Sequence, residues 1–177
     1  MGSVKYVLSV LAAGLSLTGA LRAQNAAGMS AELKAAYNSV KNNLLKSADK
    51  MPEENYAFKP MPEMRSFAEV LGHVASAQMH ACGAALGEQK TAGGEDTSKA
   101  TVMAALNAAF SECDRAYDAL TDANASETIK TGRGERSRAG MLAGNIAHDN
   151  EQYGILSVYL RLKGVIPPSS EAAARKK

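Results

Sequence analysis

RAGMLAGNIAHDNEQYGILSVYLRLKG, residues 138–164, is the stretch whose reading decides the fold. At about 100° per residue, Met141, Asn145, His148, Gln152, Ile155, Leu156 and Tyr159 fall in one narrow helical sector. Asn150, Ser157 and Arg161 fall on the opposite side. The periodicity predicts a helix from about Arg138 to Lys163, with Gly164 as its C-terminal stop and Pro167-Pro168 beyond. Its inward face is apolar at both ends and polar in the middle. A buried amide or imidazole costs free energy unless it is partnered, so the centre of this helix is a candidate site.

Three further segments carry the same period, and none shows sustained strand alternation. The first runs from about Ser30, read as its N-cap, to Lys50, with Leu33, Ala36, Tyr37, Val40 and Leu44 as its stripe and Met51-Pro52 as its stop. The second starts at Ser66-Phe67-Ala68-Glu69, which has capping-box spacing, and continues to Leu86 or Gly87 with Val70, Val74, Ala77, Ala81 and Ala84 on one face. The third spans about Lys99 to Leu120, with Val102, Leu106, Phe110, Cys113 and Tyr117 at helical intervals. The connections Gly87–Ser98, containing Gly93-Gly94, and TDANASETIKTGRGERS, residues 121–137, read as loops. Four amphipathic helices of this length make an all-α four-helix bundle the default architecture.

The chain of 177 residues is long enough for one domain with a proper core. Residues 1–23 are expected to be a cleaved signal peptide: Lys5, an apolar run from Tyr6 to Leu17, then small residues up to Ala23. The run is shorter than the roughly 20 residues that a transmembrane helix needs, so no membrane span is expected after cleavage, and a periplasmic or secreted location follows. The bundle domain is assigned to residues 24–170 and a disordered charged tail to residues 171–177. Cleavage removes Lys5 and Arg22 and no acid, leaving 18 basic and 18 acidic residues. That near-neutral balance argues against nucleic acid as a partner. Cys82 and Cys113 either form a disulfide, as an oxidising compartment allows, or are two separately buried thiols.

His148 and Gln152 lie one turn apart, so their side chains can converge on one point. A metal held there needs a third ligand from another helix. His73 and His80, the two other histidines, are seven residues apart on the second helix, roughly 10 Å, and do not share an ion easily. The plainer reading makes each polar residue a hydrogen-bonded core or surface group. GRGER, residues 132–136, with Lys130 and Arg138, lacks the order of a P-loop and reads as a solvated loop rather than an anion site.

FKPMPEMRSFAEVLGHVA, residues 58–75, resembles the loop and second helix of the DinB-like superfamily. LAGNIAHDNEQYGILSVYLRLKGVIPPSS, residues 142–170, resembles the last helix and tail of its secreted bacterial members. The resemblance implies a four-helix bundle with a crossover, often a homodimer, holding a divalent metal ion (zinc, nickel, iron or manganese) on three histidines. The first family ligand matches His73, and the first of an HxxxH pair on the last helix matches His148. Gln152 stands where the second histidine of that pair is expected. An amide oxygen is a harder and weaker ligand than imidazole for zinc, nickel or iron. Glu151 is a further candidate, as a carboxylate ligand or an outer partner.

Two functions follow from the resemblance. In one, a metal on His73, His148 and Gln152 supports a metal-dependent hydrolase or thiol transferase acting on a small molecule. In the other, a non-catalytic bundle with a degenerate site acts through dimerisation or a partner. No catalytic residue is assigned by either.

Overall fold

The computed structural model describes residues 28–91, 97–131 and 134–171. The expected signal peptide, Gly93-Gly94, Gly132-Arg133 and residues 172–177 of the expected tail lie outside the described residues. Four long helices dominate: α1 (Met29–Lys50), α2 (Phe67–Leu86), α3 (Lys99–Ala119) and α4 (Arg138–Leu162). Both α1 and α2 pack chiefly against α3 and α4, so α1 lies diagonally across the bundle from α2. The chain therefore crosses the bundle between α1 and α2, and again between α3 and α4. Among the described residues no helix is long and apolar enough to cross a membrane.

Local signals set most of the helix ends. Ser66 accepts from the Glu69 amide while the Glu69 carboxylate accepts from the Ser66 amide, closing the capping box. Gly87 and Gly164 take positive φ, 77° and 72°, where α2 and α4 end. Met51 turns out of α1 into extended backbone ahead of Pro52.

The start of α1 differs from expectation. Gly28, not Ser30, is the N-cap, and the Ser30 amide donates 2.8 Å to the Asp122 carboxylate. Asp122, from the segment after α3, thus satisfies the Ser30 amide, one of the free first-turn donors of α1. A Cβ on Gly28 would lie 1.8 Å from Asp122 Oδ2, so the carboxylate occupies the space that any other residue would need.

Tyr37, Val40 and Leu44 on α1 are buried, whereas Ala36 of the expected stripe is exposed. The whole α3 stripe is buried, and on α2 the buried face widens to include Leu71, Ala75, Gln78, Cys82 and Ala85. Tyr37 and Tyr117 stack in the core with ring centroids 4.0 Å apart. Beside them Cys82 and Cys113 are joined as a disulfide linking α2 to α3 across 31 positions, which resolves the two readings of that pair.

The loop expected between α3 and α4 contains an antiparallel hairpin, β1 (Thr128–Thr131) and β2 (Gly134–Ser137), in register Thr128↔Ser137. Strands of four mostly polar residues are too short to show an alternation; only Ile129 reaches the interior, against Ala81 and Met141. Ser157, expected on the outer side of α4, is buried and donates to the Tyr153 carbonyl. The chain after Gly164 folds back there through a short 3-10 helix, Pro168–Ser170, with Tyr153 Oη 2.7 Å from Ser169 Oγ and Glu171 paired to Lys50.

Candidate functional site

The site lies where α2 meets α4. His73 on α2 and His148 on α4 are each half-buried, and their rings meet edge to face with centroids 4.9 Å apart. Their Nε2 atoms are 3.0 Å apart. Burial holds the His73 imidazole below the usual histidine range, aided by the Arg65 charge and the neighbouring His148 ring and opposed by Glu151. That environment favours the neutral ring.

Gln152, one turn beyond His148, is 5% exposed, and its Oε1 is buried with no hydrogen-bond partner. A buried acceptor left in this state carries an appreciable penalty. Asp149 is completely buried. Its Oδ2 accepts from Asn145 Nδ2 at 3.4 Å, and its Oδ1 lies 3.6 Å from His148 Nδ1, too far for a formed hydrogen bond. Burial pushes the Asp149 carboxyl above its usual range, with His148 pulling the other way. Asn145 Nδ2 also donates to Gln78 Oε1 at 3.2 Å. Gln78 in turn packs on the disulfide, its Oε1 2.8 Å from Cys113 Sγ. A disulfide sulfur has no proton to donate, so this is a packing contact.

The fold thus brings His73 and His148 together and buries Gln152 one turn along α4. His80 is exposed two turns further along α2 and lines a different cleft, about 850 Å³ in volume, with Lys130 and Arg138. In that cleft the Arg138 guanidinium is already taken by Glu127 and the Ala85 carbonyl, which leaves it poorly placed to receive an anion. Glu151 is exposed; the carboxylate beside His148 Nδ1 belongs to Asp149 instead.

Asp149 and Gln78 are the site residues that the sequence reading missed. Asp149 is the i+4 partner of Asn145, as Gln152 is of His148, so two polar pairs run side by side along α4. Gln78 is a lone amide among the alanines and valines of α2. Among the described residues no three His, Cys, Asp or Glu side chains are placed to share an ion.

Comparison with known proteins bears on the same residues. The DinB superfamily model matches residues 36–156, which include His73, His148 and Gln152. A DinB-like protein from Bacillus cereus superposes with a TM-score of 0.66 at 16% identity, covering 77% of this chain and 93% of its own. A DinB-like protein from Bacillus subtilis gives 0.61, also at 16% identity, covering 75% and 92%. No curated protein matches the chain significantly. The family model spans all four helices from the middle of α1 to the last turns of α4, and on that match the chain belongs to the DinB superfamily.

Proposed function

We propose that the junction of α2 and α4 binds a divalent transition metal ion, zinc, nickel, iron or manganese, through His73 Nε2, His148 Nε2 and Gln152 Oε1. The observation that carries this reading is the approach of the two Nε2 atoms to 3.0 Å, from helices 75 residues apart in sequence. Two nitrogens bound about 2.0–2.1 Å from one ion stand roughly 2.8–3.4 Å apart at ligand angles between octahedral and tetrahedral values. The unpartnered Gln152 oxygen fits a third donor. Two imidazoles and one amide leave coordination positions open, which suits a catalytic rather than a structural ion.

When bound, such an ion supplies Lewis acidity, the chemistry of a metal-dependent hydrolase or thiol transferase. This chain's residues hold the donors, keep His73 neutral and place Arg65 and Glu151, of opposite charge, near the site. The Cys82–Cys113 disulfide supports an exported protein, since such bonds persist outside the reducing cytosol.

Metal analysis of protein purified without an affinity tag tests the reading. Near-stoichiometric metal is expected, lost in His148→Ala. Protein that stays empty after dialysis against each ion, with an unchanged melting temperature, refutes it. A second reading has its own support. Three ångströms is also an N–H···N hydrogen-bond length, and Val158, Leu162, Met61 and Ile166 are exposed apolar side chains. In that reading the cluster is structural and the protein works as a homodimer or partner-binding bundle; sedimentation of metal-free protein would then show association.

A further inference from the structure

We infer that Asp149 is a positioning residue for His148: its Oδ1 is the acceptor for the Nδ1–H of that ring, which keeps the proton on Nδ1 and leaves the Nε2 lone pair facing His73. The inference rests on the proposed metal site for its purpose, but the proton position it specifies exists with or without a metal.

Two buried atoms on α4 lack hydrogen-bond partners and face each other, His148 Nδ1 and Asp149 Oδ1, 3.6 Å apart. Closing the pair by roughly 0.5 Å, within reach of a small ring rotation, makes an ordinary N–H···O bond. The other Asp149 oxygen already accepts from Asn145, so Oδ1 is the atom still in need of a donor. A buried carboxylate with an oxygen left bare is costly, and His148 Nδ1 is the donor that stands beside it.

The contact between the histidines then fixes the remaining protons. A neutral imidazole carries one N–H. With the His148 proton on Nδ1, its Nε2 can only accept, and the 3.0 Å contact is a bond donated by His73 Nε2–H. The reverse arrangement sets His148 Nδ1, a bare acceptor, against a carboxylate oxygen. The metal-free protein therefore holds the two histidines as different tautomers. His148 already presents the lone pair that an ion would need, and only His73 has to shift its proton. Outer carboxylates that orient ligating imidazoles act in this way.

Long-range ¹H–¹⁵N correlation of histidine side chains in metal-free protein, assigned with His80→Gln and His148→Gln variants, reads the protons directly. The expected spectrum has His148 protonated on Nδ1 and His73 on Nε2. In Asp149→Asn the oxygen of the new amide is held by Asn145 Nδ2, so its NH₂ faces His148 Nδ1 and the ring proton moves to Nε2. Zinc affinity, measured by chelator competition, should then fall about 10- to 100-fold, while the melting temperature stays within a few degrees. His148 found protonated on Nε2 in the wild type, or still on Nδ1 in Asp149→Asn, overturns the inference. If the variant does not fold, the wild-type spectrum alone decides. The expected tautomers in a protein that never takes up zinc would sink the metal reading and leave the positioning role standing.

Discussion

Removing the Cys82–Cys113 bond should cost this bundle a large share of its stability. Cross-linking two residues 31 positions apart restricts the unfolded chain, and the loop-entropy relation puts that restriction at about 3–4 kcal/mol. Domains are typically stable by only about 5–15 kcal/mol, so the bond decides how far this one stands from unfolding. At about 2–4 °C per kcal/mol for a domain of this size, the midpoint should drop by roughly 7–15 °C. Both sulfurs are completely buried, so the bond should be reduced in denaturant before refolding and compared with the Cys82→Ala/Cys113→Ala protein. Urea unfolding followed by circular dichroism gives the second half of the prediction. The unfolded chain expands once the link is gone, so the midpoint should fall while the slope with denaturant rises. A midpoint shift of less than about 2 °C in both preparations, or a falling slope, would refute the reasoning.

Gln152→His should tighten zinc binding by replacing the weaker amide with an imidazole; unchanged affinity would mean that position 152 does not point where His73 and His148 meet. Glu69 has its carboxyl held below the ordinary glutamate value of 4.5, first by the Ser66 backbone amide and then by Lys59. A depressed folded pKa gives stability that is full above the unfolded value and lost as pH falls through the folded one. Glu69→Gln can keep the capping box without titrating, so its melting temperature should fall less than the wild type's below pH 4.5. Parallel acid limbs would count against this.

How legible all this was in the sequence depends on which physical signal each feature leaves. Helix periodicity marks α2, α3 and α4 well because their stripes are the faces that the bundle buries, and the Ser66–Glu69 box is a purely local pattern. The N-cap of α1 was not legible, because Asp122, 92 residues beyond Ser30, supplies the acceptor. The β1–β2 hairpin is held by backbone pairing between short, mostly polar strands and leaves no hydrophobic period. His73 and His148 could be linked only through a family resemblance, since periodicity places residues on one helix and says nothing of which turn of another they will meet. Asp149 was overlooked because the packing of α4 against both α1 and α2 buries a wider arc than one narrow stripe.

That wider arc raises the question of why the bundle keeps a line of polar side chains, Gln78, Asn145 and Asp149, where apolar ones would pack. Asn145 Nδ2 donates to both Gln78 Oε1 and Asp149 Oδ2, so Asn145→Leu strands two buried acceptors. At about 1–3 kcal/mol for each stranded group, less what leucine regains by burial, a net loss of about 2–4 kcal/mol is expected. Replacing all three, Gln78→Met with Asn145→Leu and Asp149→Leu, removes donors and acceptors together, and such exchanges are commonly neutral or stabilising. The triple variant should therefore melt near or above the wild type while zinc affinity falls, because His148 has lost the carboxylate beside Nδ1. That outcome would assign the polar line to the site rather than to the fold. If Asn145→Leu alone is harmless, or if the triple variant is less stable than that single one, the hydrogen bonds between α2 and α4 are not arranged as described and this argument fails.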